Sequence, residues 1–275
     1  MDKLTVKKIE PISTRRVEGI TIKSPQEIIL MRDAGRVVAM ATACLMKAIQ
    51  PGITTRELDI IAEDSIRNNG GVPSFKGYTG GMSINPFPGT ICASVNEQIV
   101  HGIPGDTVLN SGDVLSVDVG AIVNGFHGDS AFTIGVGKIP SESQRLINTT
   151  RESLLLGIQQ AKAGGRIGDI SNAVATLAEY NGYSVVREYV GHGIGRNLHE
   201  DPQVPNYGKP GRGPKLKVGM VIAIEPMLNI GDWKTKQLED GWTVVTADGS
   251  LSAHFEETVA ITEKGPEVLT AVENI

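Results

Sequence analysis

The stretch Leu109-Asn-Ser-Gly-Asp-Val-Leu-Ser-Val-Asp118 aligns without a gap with a second stretch, Leu216-Lys-Val-Gly-Met-Val-Ile-Ala-Ile-Glu225. Each runs through apolar, strand-like residues and reaches a carboxylate. An internal duplication of this kind predicts two similar halves that pack about a pseudo-twofold axis into one domain. Asp118 and Glu225 are then equivalent positions at the ends of apolar strands, where we expect a shared site.

Helix signals repeat in the same order as the strand patterns. Capping boxes at Ser24-Pro-Gln-Glu27 and Thr54-Thr-Arg-Glu57 predict the starts of two helices. In the second half, Ser141 is predicted to cap a third helix. The second helix of each half is expected to stop at an Asn-Gly pair, Asn69-Gly70 or Asn181-Gly182. The sequence therefore predicts a helix pair followed by strands, twice.

Composition and charge set limits on the class of protein. With 275 residues and 40% hydrophobic content, we expect residues 24–275 to form a single globular domain after an irregular extension, 1–23. A net charge of −5 disfavours nucleic acid or an anionic membrane as partner. The two cysteines, Cys44 and Cys92, suit a reducing compartment. Residues 1–17 lack the apolar run of a signal peptide, so we expect a cytoplasmic protein.

A predicted hairpin supplies the first chemically informative residues. Asn124-Gly125 is the preferred pair for a two-residue turn, and folding about it sets Asp118 opposite Ala131. Asp129 then lies on the same face, diagonal to Asp118, about 7–8 Å away at the backbone. Apolar residues of both parities flank Asp118, which indicates a strand buried on both faces. A buried carboxylate pair needs a cation between its members.

Three later segments add candidate ligands. His192 and His199 lie in a glycine-rich stretch, and Glu225 ends an apolar strand. In the last segment, periodicity leaves open whether Glu256 or Glu257 faces a site. Two Asp, two Glu and one His suit a pair of divalent ions and hydrolytic chemistry. The sequence contains no phosphate-binding loop, nucleophile elbow or His-Glu-x-x-His motif.

Five motifs, in order along the chain, resemble the type I methionine aminopeptidases. They are His101-Gly-Ile-Pro, Asp118 through Gly-Phe-His-Gly-Asp129, Gly-His192-Gly-Ile-Gly through His199, Ile-Glu225-Pro-Met, and Asp240-Gly-Trp242-Thr through Ser-Ala-His-Phe-Glu256. The resemblance covers roughly residues 24–270. It implies the α/β pita-bread fold, in which a curved antiparallel sheet is flanked by two helix pairs with pseudo-twofold symmetry.

The same resemblance implies a ligand set for two divalent metal ions, Co, Mn, Fe or Zn. The five implied ligands are Asp118, Asp129, His192, Glu225 and Glu256. Asp129 and Glu256 would bridge the ions, Asp118 would bind one, and His192 with Glu225 the other. The family's ligand falls at Glu256, which selects it over Glu257.

The resemblance further implies removal of the initiator methionine when the second residue is small. A hydroxide bridging the metals would attack the first peptide carbonyl, with Glu225 as proton shuttle, His199 as oxyanion donor and His101 contacting the substrate. The implied methionine pocket consists of Tyr78, Phe87, Cys92 and Trp242. Leu198 stands where an aromatic residue is common, and the stretch 79–86 is longer than usual. Nascent polypeptide N-termini are the implied substrates, the ribosome is a candidate partner, and we expect a monomer.

Two other types of enzyme and one group of non-catalytic proteins are alternatives to this functional prediction. An X-Pro dipeptidase or aminopeptidase P shares the fold and the five ligands, but normally carries a large domain before the first helix. A type II methionine aminopeptidase needs a long insertion between His192 and Glu225, where this sequence is short. Non-catalytic relatives that bind peptides or RNA have lost ligands, whereas all five implied ligands are present here.

Overall fold

The computed structural model describes residues 15–17, 19–80 and 85–272. Within these ranges the helices form two pairs, α1 (Pro25–Ala48) with α2 (Thr55–Asn68), and α3 (Ser141–Gln160) with α4 (Ile167–Tyr180). The strands, in chain order, are β1 (Arg15–Val17), β2 (Ile20–Ile22), β3 (Val72–Pro73), β4 (Ile91–Val95), β5 (Gln98–Val100), β6 (Val114–Val123), β7 (Phe126–Gly135), β8 (Ser184–Val185), β9 (Gly191–Gly193), β10 (Glu200–Val204), β11 (Val221–Ile224), β12 (Met227–Asn229), β13 (Thr235–Gln237), β14 (Val244–Thr246), β15 (Ser252–His254), β16 (Glu256–Thr262) and β17 (Gly265–Val268). None of the helices in these ranges is long and apolar enough to cross a membrane.

The first helix pair begins at the capping boxes that the sequence predicts. In α1, the Ser24 backbone N–H donates to Glu27 Oε2 at 2.9 Å, and the Glu27 N–H donates to Ser24 Oγ at 3.3 Å. The same exchange opens α2. The cap expected at Ser141 is wrong, because Pro140 holds the cap position in an extended conformation without a side-chain hydrogen bond. Ser141 therefore lies in the first turn of α3.

The two Asn-Gly stops are confirmed. Asn69 caps the end of α2, and Asn181 caps the end of α4. The glycines that follow, Gly70 and Gly182, have φ angles of 78° and 81°. This left-handed conformation is strained for residues with a Cβ atom, so glycine ends both helices at equivalent places.

The main sheet has a mirrored strand order. Among the described residues it contains nine strands, all paired antiparallel, with the β7–β16 pair in its middle. Outward from β7 lie β6 and then β4 and β3, and outward from β16 lie β11 and then β9. Helix α1 packs on β6 and β7, and α3 packs on β7, β11, β12 and β15. This arrangement confirms the predicted fold class and agrees with an internal pseudo-twofold repeat.

The β6–β7 hairpin has the predicted register. Asn124 and Gly125 form its turn with φ angles of 52° and 78°, and Asp118 pairs with Ala131. On its other side, Ala131 pairs with Glu256 at the start of β16. The hairpin extends well beyond Asp118, however, so this residue lies in the middle of β6. The expectation that it ends a strand, as Glu225 does, is wrong.

The segment before α1 is more regular than the sequence suggests. Arg15–Val17 and Ile20–Ile22 pair as a short antiparallel hairpin, within the stretch expected to be irregular. Residues 1–14 and 18 of that stretch lie outside the described part. A hairpin this short has too few alternating apolar residues to be recognised from periodicity.

Two apolar clusters divide the interior. The larger one lies between the helices and the sheet and draws residues from both halves, including Val38, Val117, Ile170 and Ile222. The smaller one packs around Phe87, Leu198 and Trp242, at the face of the sheet where the chemically informative residues converge. Its side chains form the apolar wall of a cavity.

Candidate metal centre and substrate pocket

A cavity of about 500 Å³ collects every residue that the sequence analysis assigned to a site. Four carboxyl groups from the central strands and three imidazoles border it, together with the four apolar or aromatic residues of the expected pocket. The residues in question are Tyr78, Phe87, Cys92, His101, Asp118, Asp129, His192, His199, Glu225, Trp242 and Glu256. Residues distant in sequence therefore meet in one place.

Strand pairing explains why the carboxyl groups meet. Asp118 and Glu256 lie on either side of Ala131, which pairs with both. Asp129 lies two residues along β7 from Ala131, on the same face of the sheet. Glu225 directly follows β11, the strand beside β16, and the sheet ladder does not continue through Pro226 because proline has no backbone N–H.

The electrostatics of this group favour a bound cation. Burial raises the pKa of Asp118 to about 7. The pKa of Asp129, Glu225 and Glu256 is raised well above the usual range, first by burial and then by the neighbouring carboxylates. Asp118 Oδ1, Asp129 Oδ1 and Glu256 Oε1 are buried and accept no hydrogen bond from any described residue. A divalent ion would supply the missing partner and offset the repulsion.

The His192 side chain is also suited to bind a cation. Its Nδ1 lies 2.9 Å from the Gly193 carbonyl oxygen, which can only accept, so Nδ1 carries the proton and Nε2 keeps its lone pair. Burial lowers the pKa of His192 to about 3, so the ring is neutral near pH 7. One donor atom each from Asp129, His192 and Glu256 lies within 4.8 Å of the others, a spacing that could hold a metal ion.

His254 belongs to the same cluster, although the sequence analysis gave it no role. Its Nε2 lies 3.9 Å from Glu225 Oε2 and 3.9 Å from Glu256 Oε2, and the three side chains could also hold a metal ion. Burial lowers its pKa to about 3. The available signal was its position two residues before Glu256, because residues two apart in an extended segment share a face.

Two further histidines, His101 and His199, border the cavity. His199 Nδ1 is hydrogen-bonded to the Tyr78 hydroxyl at 2.6 Å, and its ring centroid lies 4.3 Å from that of His192. His101 packs edge-on against Trp242 and Tyr189. Burial lowers the pKa of both histidines, to about 4 for His101. Both rings are therefore neutral near pH 7.

The apolar wall contains the expected pocket residues. Phe87 and Trp242 meet edge to face with centroids 5.2 Å apart, and the Trp242 indole N–H donates to the Asn85 carbonyl oxygen at 3.0 Å. Cys92 pairs with Asp118 across β4 and β6, which sets the pocket beside the carboxyl groups. The centre of the long stretch 79–86, residues 81–84, lies outside the described part of the chain.

Several further residues line the cavity that the sequence gave no means to assign. Phe75, Glu188, Tyr189, Val190 and Gln203 border it, together with Leu198. All five lie in loops or on the short strand β10, where no periodic pattern indicates which side chain faces inward.

A family model matches most of the chain. Residues 29–263 match metallopeptidase family M24. The chain belongs to this family. A metallopeptidase family implies a divalent metal, and the cluster of buried carboxyl groups and imidazoles could hold one.

Individual relatives that match this chain are methionine aminopeptidases. The chain is 55% identical to methionine aminopeptidase 1 of Bacillus subtilis over 253 residues, which cover 92% of this chain and all of that protein. The crystal structure of methionine aminopeptidase from Thermotoga maritima matches with a TM-score of 0.88 at 46% identity, over 92% of this chain and 99% of that one. These similarities confirm the family that the motifs indicate, the methionine aminopeptidases.

The X-Pro alternative receives support at the level of the fold alone. Prolidase from Pyrococcus furiosus matches with a TM-score of 0.70 but at 24% identity, over 90% of this chain and 65% of that one. The shared pita-bread architecture explains the structural match.

Proposed function

We propose that the protein removes the N-terminal methionine from nascent polypeptides whose second residue is small. The main observation in support of this proposal is that a cluster of carboxyl groups and an apolar pocket lie side by side in one cavity. Carboxyl groups with buried oxygens that lack a hydrogen-bond partner among the described residues lie directly beside an apolar pocket bordered by Phe87, Cys92 and Trp242. The names and identities of the relatives support the same activity. An X-Pro peptidase is less well supported, and a non-catalytic role fits poorly with a complete ligand set.

The proposed metal ligands hold two divalent ions between the two halves of the sheet. They are Asp118, Asp129, His192, Glu225 and Glu256. The unpaired oxygens, the raised pKa values and the neutral imidazole support this set. Four carboxylates and one imidazole suit hard or borderline ions such as Mn, Fe, Co or Zn. When bound, such ions act as Lewis acids and lower the pKa of a bound water.

We assign the proton-transfer role to Glu225 and the oxyanion-donor role to His199. The hydrogen bond between Tyr78 and His199 Nδ1 supports the second assignment. If the Tyr78 hydroxyl donates to Nδ1, then Nε2 carries the proton and is available to donate to a developing negative charge. His101 contacts the substrate from the side of Trp242.

The apolar pocket is proposed to bind the methionine side chain. A thioether on an unbranched chain adapts to an irregular cavity and makes favourable contacts with aromatic rings such as Phe87 and Trp242. Burial and the nearby carboxylates raise the pKa of Cys92, so its thiol contributes as a neutral, apolar group. Tyr78 completes the wall on the side of His199.

The domain organisation, oligomeric state, location and partners of the protein follow from the same family resemblance. We propose that residues 24–275 form one catalytic domain that acts as a monomer in the cytoplasm. Its substrates are the N-termini of nascent chains, and the ribosome is the candidate partner at that stage.

A peptide assay tests the proposed activity. Protein stripped of metal receives Mn, Fe, Co or Zn separately and is incubated with Met-Gly-Met-Met or with proline-containing peptides. We expect free methionine from Met-Gly-Met-Met only when metal is present, and no efficient cleavage when the first residue is Leu or Ala or the second is bulky. Preferred cleavage of the proline-containing peptides would support an X-Pro peptidase instead.

A further inference from the structure

His254 lies behind the two glutamates that border the cavity. It ends β15, is 2% exposed, and its Nε2 has no hydrogen-bond partner among the described residues. That nitrogen lies 3.9 Å from Glu225 Oε2 and 3.9 Å from Glu256 Oε2. An unpaired buried polar group is unfavourable, so its position between two carboxyl groups calls for a role.

The backbone fixes His254 in this position from two directions. Its partner in the β12–β15 ladder is Met227, two residues after Glu225, and one residue separates it from Glu256. Thr133 Oγ1 on β7 accepts from the His254 N–H at 2.9 Å and donates to the His254 carbonyl oxygen at 2.7 Å. These contacts fix the backbone of His254 beside the two glutamates.

Glu225 has an imidazole on each side. Its Oε1 lies 3.7 Å from His192 Nε2, and its Oε2 lies 3.9 Å from His254 Nε2. The two nitrogens differ in chemistry. His192 Nε2 keeps a lone pair because its Nδ1 donates to a carbonyl oxygen. His254 Nε2 faces oxygens of carboxyl groups, which accept hydrogen bonds when ionised, and this environment favours an N–H at that position.

We propose that His254 is a positioning residue that donates its Nε2–H to Glu225 Oε2, with Glu256 Oε2 as a second acceptor. A closure of about 1 Å brings the nitrogen into normal hydrogen-bond range. The bond holds the Glu225 carboxylate so that Oε1 faces the His192 side of the centre. Donors of this kind orient the ligands of a metal, and their loss typically weakens metal binding by about 10–100-fold. The inference rests on the proposed metal site.

Two substitutions separate a donor from a space-filling side chain. His254→Gln keeps an N–H at similar reach, whereas His254→Leu fills a similar volume without a donor. The full-length variants are titrated with Co²⁺, and affinity is measured from the visible absorption of the ion. X-ray absorption at the cobalt edge then gives the number of imidazoles bound. His192→Ala serves as the reference for loss of a true ligand, and thermal unfolding of each metal-free variant checks the fold.

We expect His254→Leu to bind Co²⁺ about 10–100-fold more weakly, His254→Gln to bind nearly as the unaltered protein does, and the imidazole count to be the same in all three. Unchanged affinity in the folded His254→Leu variant would overturn the proposal. So would a lower imidazole count in both variants, which would make His254 a ligand. Failure of the unaltered protein to bind Co²⁺ would instead contradict the metal site itself.

Discussion

The two halves of the molecule have the same backbone plan but contribute different chemistry to the cavity. The half before residue 136 supplies Asp118 and Asp129, two carboxyl groups from one hairpin. The half after residue 140 supplies Glu225 and Glu256, and with them both imidazoles of the cluster, His192 and His254. The symmetric sheet therefore determines where the site lies, and the side chains determine that its two ends are different.

The difference has a local cause. Strand β6 continues past its carboxylate into a hairpin, so both acidic residues of the first half belong to a single, short-range unit. Strand β11 ends at Ile224, directly before Glu225, and the proposed ligands of the second half come from three separate segments. We therefore expect the second half of the site to depend more on long-range packing than the first.

The largest effect is expected from one carboxylate of each half. Asp129→Asn and Glu256→Gln should each lower turnover by at least about 10³-fold, because each removes a ligand at the junction of the halves. Metal-free variants should be no less stable than the unaltered protein, since each replaces an acidic group whose ionised form is costly to bury. Turnover is measured with Met-Gly-Met-Met in added metal, and stability by urea unfolding. A variant that kept more than about a tenth of the activity would contradict the assignment.

A smaller effect is expected at His199, which borders the cavity without a place in the ligand set. His199→Ala should lower kcat by roughly 10²–10³, the usual scale for one oxyanion donor, with metal content unchanged. Elemental analysis of the purified variant checks the metal. Tyr78→Phe is the matched control, since it removes only the hydroxyl that holds the ring, and should cost less. Loss of metal from His199→Ala would show that the residue is a ligand.

The contact between the N-terminal hairpin and the second half is expected to affect stability. Lys23 Nζ lies 2.8 Å from Glu200 Oε2, and both side chains are almost inaccessible. Lys23→Met should lower the free energy of unfolding by about 3–5 kcal/mol, because it leaves a buried charge unpaired. The double variant Lys23→Met with Glu200→Gln should recover much of the loss. Denaturant unfolding of the three proteins measures both effects, and an unaltered stability in Lys23→Met would show that the pair contributes nothing.

The pH dependence of the metal-free protein provides a subtler test. The carboxyl groups of both halves bind protons more tightly in the folded state, so the stability they contribute is lost as pH rises through their folded pKa, about 7 for Asp118. The buried histidines have lowered pKa values and act in the opposite direction, but only below about pH 6.5, where histidine titrates in the unfolded chain. Stability without metal should therefore fall between about pH 6.5 and 8, and a saturating divalent ion should abolish the fall. Urea titrations with chelator or with added metal measure the free energy of unfolding at each pH. An increase in the stability of the metal-free protein over this pH range would contradict the prediction.

Local signals predicted most of the fold. The capping boxes at Ser24 and Thr54 and the Asn124-Gly125 turn depend on neighbouring residues, and all three occur where expected. The duplicated strands predicted the mirrored sheet. The helix start at Ser141 failed, because Ser141 also suits the first turn of a helix and the preceding proline takes the cap.

The site residues that lie in sequence motifs could be predicted, whereas those positioned by tertiary packing could not. The hairpin register brought Asp118 and Asp129 together from sequence alone. By contrast, the one local signal for His254, its position two residues before Glu256, does not show that it also approaches Glu225. Its importance depends on the β12–β15 pairing and on Glu225, which comes from another segment. Such contacts are set by tertiary packing, which periodicity does not report.

The central claim is that the two halves jointly hold two divalent ions, and anomalous diffraction from crystals grown with Mn²⁺ or Co²⁺ tests it most directly. We predict two adjacent anomalous peaks in the cavity, within coordination distance of Asp118 and Asp129 from one half and of His192, Glu225 and Glu256 from the other. Peaks contacted by one half alone, or no peak in the cavity at saturating metal, would contradict the account.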